Sequence, residues 1–224
     1  MDWQSRLRNI ILSTIVRDFP LKFWEDARMR GRQTYLDVFS QVRHDRNLVE
    51  EQRLDKLYQD RYFHMERLLA VLANEHGLAQ TSTLLAENNR HYVYATKGSI
   101  GLTQAYVPTI GGMPKPARYR ERLAALNDIP KSPRFDFGDE PPEVLLGKDF
   151  YGLLVHNPAG KRFTEQDQRL GMMQFCVPVN DCSEWAVELA IEEITAAYAI
   201  ESATETVDRR LPWKKRGEEE EGEV

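Results

Sequence analysis

The sequence predicts an α+β fold with an N-terminal three-helix region, an antiparallel sheet of about four to five strands, a long C-terminal helix and a disordered charged tail. Apolar residues recur at helical spacing through residues 1–78, and alternating β-rich runs follow within 79–205. A chain of 224 residues with 42% hydrophobic composition can bury a sizeable core. We therefore expect these two regions to pack as one globular unit, with residues 206–224 as the tail.

The three helices are predicted from apolar stripes over residues 3–15, 23–42 and 54–72. Pro20 separates the first two helices, because proline ends one helix and suits the first turn of the next. Gly77 ends the third, since glycine readily adopts the left-handed conformation of a helix C-terminus. Short connections between the helices favour a bundle-like packing.

The strands and the last helix are predicted from patterns further along the chain. The stretch "HYVYATKGSIGLTQAYVP", residues 91–108, alternates around a Lys-Gly-Ser turn and indicates a hairpin. Residues 150–156 and 171–179 are two further strand candidates. A capping pattern and an apolar stripe predict a closing helix over about 183–201.

Composition and charge limit the classes of function. The net charge is -5, and residues 1–100 carry net +2 against net -7 for residues 101–224. Cys176 and Cys182 are too few for a disulfide framework, which favours reduced thiols and a cytoplasmic location. We expect no targeting segment, no membrane span and no cofactor, since no phosphate-binding glycine loop or metal-ligand spacing is visible.

Residues 72–104, "LANEHGLAQTSTLLAENNRHYVYATKGSIGLTQ", admit two interpretations. A helix-turn-helix with a hairpin wing would use a second helix over residues 80–89. Base edges would then meet Gln80, Thr81, Ser82 and Asn89, and phosphates would meet Arg90 and Lys97. The alternative is a three-stranded meander over residues 80–104, which we prefer because the segment is Thr-rich and the local charge is weak.

Two charged segments are candidate docking sites for a protein. Glu184, Glu188 and Glu192 recur at one-turn spacing on the predicted closing helix. Carboxylates at that spacing can hold a divalent cation, but a narrow acidic stripe more often forms a solvated edge or a strip for a basic partner. In the tail, Trp213 lies beside the basic residues Lys214, Lys215 and Arg216, and an aromatic among bases can anchor a partner.

An enzyme site is a third hypothesis. If the strands at 150–156 and 171–179 pair, His156, Cys176 and Asp181 lie near one another in a thiol–imidazole arrangement. Strand alternation instead favours Cys176 as an ordinary buried residue.

The segment "NPAGKRFTEQDQRL", residues 157–170, resembles the strand–loop–helix junction of GAF-type ligand-sensing domains. In that junction a Gly, then Phe-Thr, then an acidic pair precede a helix. The resemblance covers only these residues, and Gly171 with a strand-like run replaces the long helix of that family. We therefore assign no family.

The sequence as a whole favours a non-catalytic regulatory protein that binds another macromolecule, with a protein as the expected partner. A winged-helix-like nucleic-acid binder using residues 72–104 is the alternative, and an enzyme using His156, Cys176 and Asp181 is the third hypothesis. The sequence leaves the oligomeric state open.

Overall fold

A computed structural model describes residues 3–85, 90–127, 129 and 149–210, without the side chains of Glu50 and residues 201–210. These residues form six α-helices, one 3-10 turn and a six-stranded mixed sheet, so the α+β class is confirmed. The prediction of a purely antiparallel sheet of four to five strands was wrong. None of the described helices has an apolar stretch that could span a lipid bilayer.

The elements follow one another in a simple order. The helices are α1 (Trp3–Asp18), α2 (Leu21–His44), α3 (Glu50–Glu75), α4 (Arg118–Ala124), α5 (Glu165–Gln168) and α6 (Ile191–Arg210). The strands are β1 (Ala79–Leu85), β2 (Arg90–Lys97), β3 (Ile100–Tyr106), β4 (Phe150–Pro158), β5 (Leu170–Pro178) and β6 (Trp185–Ala190). A 3-10 turn, Ala125–Asn127, follows α4.

The strands lie in the sheet in the same order as in the chain, β1 to β6. Neighbours are antiparallel except β3 and β4, which pair in parallel from Ile100↔Phe150 to Tyr106↔His156. A crossover of about 40 residues joins these two strands, and a connection of that length permits parallel pairing. The alternation of apolar and polar residues within a strand does not reveal the direction of the neighbouring strand. The parallel pair could therefore not be predicted from the sequence pattern.

The β2–β3 hairpin opens soon after its turn. The two strands pair only at Ala95↔Leu102, Thr96↔Gly101 and Lys97↔Ile100. Beyond these pairs, β2 continues beside β1 while β3 continues beside β4. The sheet therefore has a gap between residues 90–94 and 103–106.

Helices α1, α2, α3 and α6 cover one face of the sheet, and α4 packs on the other. The larger core lies on the helical face, where Trp24 of α2 meets Phe175 of β5 edge to face at 5.7 Å. The smaller core lies on the opposite face around Tyr151 and Cys176. Alternation along each central strand supplies both cores.

The C-terminal helix begins later than its predicted start. Residues 185–190 form β6, paired with β5 from Gln174↔Ala190 to Pro178↔Trp185. The pattern "WAVELA" alternates, with Val187 and Leu189 buried, and pairing with β5 determines its structure. Helix α6 then continues to Arg210, so it includes residues 206–210 of the predicted tail.

Gly152 on β4 is required by the Phe175 ring that covers it. A Cβ atom at this position would lie 2.2 Å from Cζ of Phe175, which is fully buried. We expect Gly152→Ala to lower the free energy of unfolding by about 1–3 kcal/mol through overpacking. Chemical denaturation measures the loss, and Phe175→Leu in the Gly152→Ala background should recover part of it. Equal stability of Gly152→Ala and the native chain would contradict this seating of the ring.

Candidate functional site

Strand β1 forms an exposed, uncharged edge of the sheet. Its sequence, AQTSTLL, contains no charge and no proline, and five of its seven residues are exposed. It pairs with β2 from Ala79↔Thr96 to Leu85↔Arg90, and no described strand lies on its other side. An edge of this kind is a ready template for another strand.

The backbone groups on the outer side of β1 can be assigned from those of β2. The amide of Val93 donates to Glu66 and the carbonyl of His91 accepts from Tyr62, so odd-numbered residues of β2 direct these groups away from β1. Even-numbered residues of β2 therefore bond to the odd-numbered residues of β1. The N–H and C=O groups of Gln80, Ser82 and Leu84 consequently point outward.

The opposite edge of the sheet is covered. Arg8 of α1 donates from Nη1 to the carbonyl oxygen of Glu188 on β6 at 2.6 Å. The same guanidinium forms an ion pair with Glu193 of α6. Arg8 of α1 thus caps a backbone carbonyl on the outer edge of β6, whereas no such contact to the outer edge of β1 is found among the described residues.

Helix α3 provides a wall beside the open edge. Gln80 donates to Oδ1 of Asn74 at 2.8 Å, which ties β1 to one stripe of α3. Phe63 and Arg67 lie within about 40° of Asn74 around the helix axis. The name β1 groove is used here for the outer edge of β1, with Gln80, Ser82 and Leu84, together with the α3 stripe that carries Phe63, Arg67 and Asn74.

The β1 groove combines apolar surface with positive charge. Phe63 is 51% exposed and Leu84 is 52% exposed. Arg67 forms no ion pair with any described residue, and the guanidinium of Arg90 lies 5.4 Å from the ring centroid of Tyr62. The groove therefore favours a ligand with apolar and acidic groups.

A buried hydrogen-bonded network joins the helices to the sheet below the groove. Tyr35 of α2 donates to Nδ1 of His156 at 2.6 Å, and Nε2 of His156 donates to Oε1 of Gln104 at 2.8 Å. Gln104 donates from Nε2 to Oε1 of Glu66 at 2.7 Å, and the amide of Val93 donates to Oε2 at 2.8 Å. The amide orientation of Gln104 fixes the histidine tautomer, and every donor is directed toward Glu66.

Glu66 fills the gap where β2 and β3 diverge. One oxygen accepts the backbone N–H of Val93, which lacks a partner on β3 in the opened hairpin, and the other accepts the side-chain amide of Gln104 on β3. Burial raises the pKa of Glu66 to about 7, against the lowering effect of these hydrogen bonds. The carboxyl group thus supports β2, and through β2 it supports the edge strand β1.

A buried cation lies at the other end of the network. Arg61 is 1% exposed, donates to Oε1 of Gln168 at 2.7 Å, and lies 4.2 Å from the ring centroid of Tyr35. Burial lowers the pKa of His156 to about 3, with a second contribution from the Arg61 charge. His156 is therefore neutral at physiological pH and acts here as a relay of hydrogen bonds.

The residues of the enzyme hypothesis do not converge. The strands pair as expected, with Leu153 opposite Cys176, but alternation places Cys176 in the smaller core and His156 on the helical face. Burial raises the pKa of the Cys176 thiol well above its usual value. Asp181 accepts a hydrogen bond from the amide of Ser183 in the turn after β5. The predicted thiol–imidazole arrangement was wrong because the sheet separates the two groups.

The predicted acidic stripe is also divided among different elements. Glu184 precedes β6, Glu188 lies on β6, and Glu192 lies in the first turn of α6, where it pairs with Arg28. They do not share one helix face, because residues 185–190 are a strand. Within the described ranges no group of three or more acidic, histidine or cysteine side chains could hold a metal ion. The predicted tail residues lie outside the described chain; these are Trp213, Lys214, Lys215 and Arg216.

The segment proposed to read bases is part of a meander. Gln80, Thr81 and Ser82 lie on β1 rather than on a recognition helix, so the meander interpretation is confirmed over residues 80–85 and 90–104. Lys97 donates to the carbonyl of His76 at 2.8 Å, and Arg90 stacks over Tyr62. Asn89 lies outside the described residues.

Two members of the network could be suspected from the sequence, but their hydrogen-bond partners could not. Arg61 and Glu66 interrupt the apolar face of α3, next to Met65 and Leu69, and a charge at such a position indicates a buried partner. The partners Gln104 and His156 lie on strands far along the chain, and only the folded pairing reveals them.

Comparison with known proteins adds no assignment. No protein family, curated protein or solved structure matches this chain.

Replacement of Glu66 should change how stability depends on pH. The folded state retains the Glu66 proton up to pH about 7, whereas the unfolded state releases it near 4.5. Burial of the carboxylate therefore destabilises the native chain as pH rises across this window. Relative to Glu66→Gln, the free energy of unfolding of the native chain should fall by about 3 kcal/mol. Denaturation of both proteins at several pH values measures the difference.

His156→Gln is the matched comparison, with the opposite sign. The folded pKa of His156 lies near 3 and its ordinary value is 6.5, so the stability that it contributes is lost as pH falls through this interval. The difference between the native chain and His156→Gln should therefore increase with pH. Parallel profiles for the two variants would contradict the arrangement of the network.

Proposed function

We propose that this protein binds a partner protein by adding an extended segment of that partner to the open edge of β1. The observation that supports the proposal most strongly is the contrast between the two edges of the sheet. Arg8 donates to the carbonyl of Glu188 on the outer edge of β6, whereas Gln80, Ser82 and Leu84 direct N–H and C=O groups outward from β1. Backbone hydrogen bonds supply affinity in strand addition, and pockets for alternate side chains supply specificity.

The chemistry of the β1 groove defines the preferred segment. Side chains of an added strand that point toward α3 would meet Phe63 and Leu84 as apolar contacts and Arg67 as a cation. The described acidic side chains nearby are otherwise engaged, since Glu75 pairs with Arg30 and Glu66 is buried. We propose an extended segment in which apolar and acidic residues alternate.

Nucleic-acid binding remains the alternative for the same segment. Arg67 and Arg90 supply positive charge, but Lys97 already donates to a backbone carbonyl, and β1 carries no cation of its own. Few phosphate contacts give weak, strongly salt-dependent binding. A segment with its own backbone hydrogen-bonding groups uses the open edge more fully, which favours a protein as the partner.

The proposed role is non-catalytic and regulatory, and the proposed compartment is the cytoplasm. Both cysteines are free thiols, and Cys176 is buried. Reduced thiols are typical of that compartment.

Ser82→Pro should abolish strand addition and preserve the fold. Proline removes the outward N–H of residue 82 and leaves the ladder with β2 intact, as edge positions permit. The probe is a synthetic octapeptide of alternating valine and glutamate, titrated into labelled protein and followed by amide shifts of residues 79–85. We expect saturable binding to the native chain and at least a tenfold loss for Ser82→Pro.

Two controls sharpen this test. Ser82→Ala retains the N–H and should bind like the native chain, whereas Thr81→Pro breaks the β1–β2 ladder and should lower stability as well. Equal binding by Ser82→Pro and Ser82→Ala would exclude strand addition at this edge. Binding of oligothymidylate at low salt that Ser82→Pro leaves unchanged would favour the nucleic-acid alternative.

Arg67→Glu should reverse the charge preference of the β1 groove. The native chain is expected to bind the valine–glutamate peptide at least severalfold more tightly than a valine–lysine peptide, and the variant should show the opposite order. Competition measured by fluorescence anisotropy gives both ratios. Arg46→Glu, on the loop before α3, adds the same charge change away from the groove and should leave the preference unaltered. Equal affinity of the native chain for both peptides would refute the acidic segment and leave the edge itself as the binding site.

A further inference from the structure

A small cleft lies on the helical side of the sheet, beside β5, which is four strands away from β1. It has a volume of about 140 Å³ and is bounded by α2, by residues 170–174 of β5 and by the start of α6. Met173 lines the cleft, and Gly31 brings α2 close to the sheet at this residue, since a Cβ at position 31 would lie 2.4 Å from Cε of Met173. The cleft therefore lies where helix α2 packs tightly against strand β5.

Two arginines one helical turn apart line this cleft. Arg28 forms an ion pair with Glu192, which also lines the cleft. Arg32 is exposed and has no ion pair with any described residue. Arg28 is thus paired with a carboxylate at the cleft, whereas Arg32 has no carboxylate partner among the described residues.

We propose that this cleft binds a phosphate group. A guanidinium offers paired N–H donors that match the geometry of phosphate oxygens, and two of them one turn apart can hold one anion. The volume corresponds to about four or five water molecules, at about 30 Å³ each, which suits a phosphate rather than a whole nucleotide. Any larger ligand extends from the cleft into solvent.

Glu192 competes with the anion for Arg28. An entering phosphate meets Arg32 first, and it gains Arg28 only when the carboxylate of Glu192 moves aside. The like charge of Glu192 opposes the anion while the ion pair lasts. Glu192 therefore limits the affinity of the site, and its neutralisation should strengthen binding.

The test is titration of the full chain with inorganic phosphate at constant ionic strength, followed by amide shifts of residues 28–32 and 170–174. We expect saturable binding to the native chain, at least a tenfold loss for Arg32→Gln, and a severalfold gain for Glu192→Gln. Arg32→Lys should bind with intermediate affinity because it retains the charge without the paired donors. Arg43→Gln, further along α2, should bind like the native chain. Thermal unfolding of each variant verifies that it is folded.

The outcomes separate this proposal from general charge effects. Equal losses for Arg32→Gln and Arg43→Gln would show nonspecific attraction and overturn the proposal. A loss of affinity in Glu192→Gln would overturn the competition between the carboxylate and the anion. Acetate that binds as tightly as phosphate would replace phosphate with a carboxylate ligand and overturn the assignment. Ser82→Pro should bind phosphate like the native chain. A negative result for strand addition at β1 therefore does not affect the proposal for the phosphate cleft, and the reverse also holds.

Discussion

The carboxyl group of Glu66 is the interaction on which the arrangement of helices and sheet depends. It accepts from Val93 on β2 and from Gln104 on β3, at the place where the two strands no longer bond to each other. Without an acceptor there, a buried amide N–H and a buried side-chain amide would each lose a partner, at a cost of about 1–3 kcal/mol apiece. The opening of the hairpin and the position of α3 above it therefore require one another.

The network continues from this point through three further residues, His156, Tyr35 and Arg61. Gln104 orients His156 on β4, and His156 accepts from Tyr35 on α2, whose ring lies beside Arg61. Each group in the network donates or accepts according to what its neighbour requires. A single arrangement of protons and amide orientations therefore satisfies every hydrogen bond in the network. This consistency fixes α2 and α3 relative to β2, and the edge strand β1 is positioned through β2.

Sequence reasoning succeeded where a pattern was long and local. Helices α1 to α3 have between 16 and 26 residues, and their apolar stripes determine them without reference to the rest of the chain. The β2–β3 hairpin was predicted from its glycine turn. Strand β6 was not predicted because its sequence, "WAVELA", is followed directly by the apolar stripe of α6. The two-residue alternation of the strand therefore merges with the helical spacing that follows it. The relative placement of His156 and Cys176 depends on which face of the sheet each residue occupies. The network depends on hydrogen bonds between residues that are far apart in the chain. Neither can be predicted from local spacing.

The single parallel contact between described strands divides the sheet into two consecutive meanders, β1–β3 and β4–β6. Each meander has neighbours that are close in the chain, so its contacts form with little loss of loop entropy. The seam between β3 and β4 closes over about 40 residues, and such nonlocal pairing is slow. The seam also brings Gln104 to His156. We therefore expect the polar interior to assemble late in folding, when two locally formed halves dock.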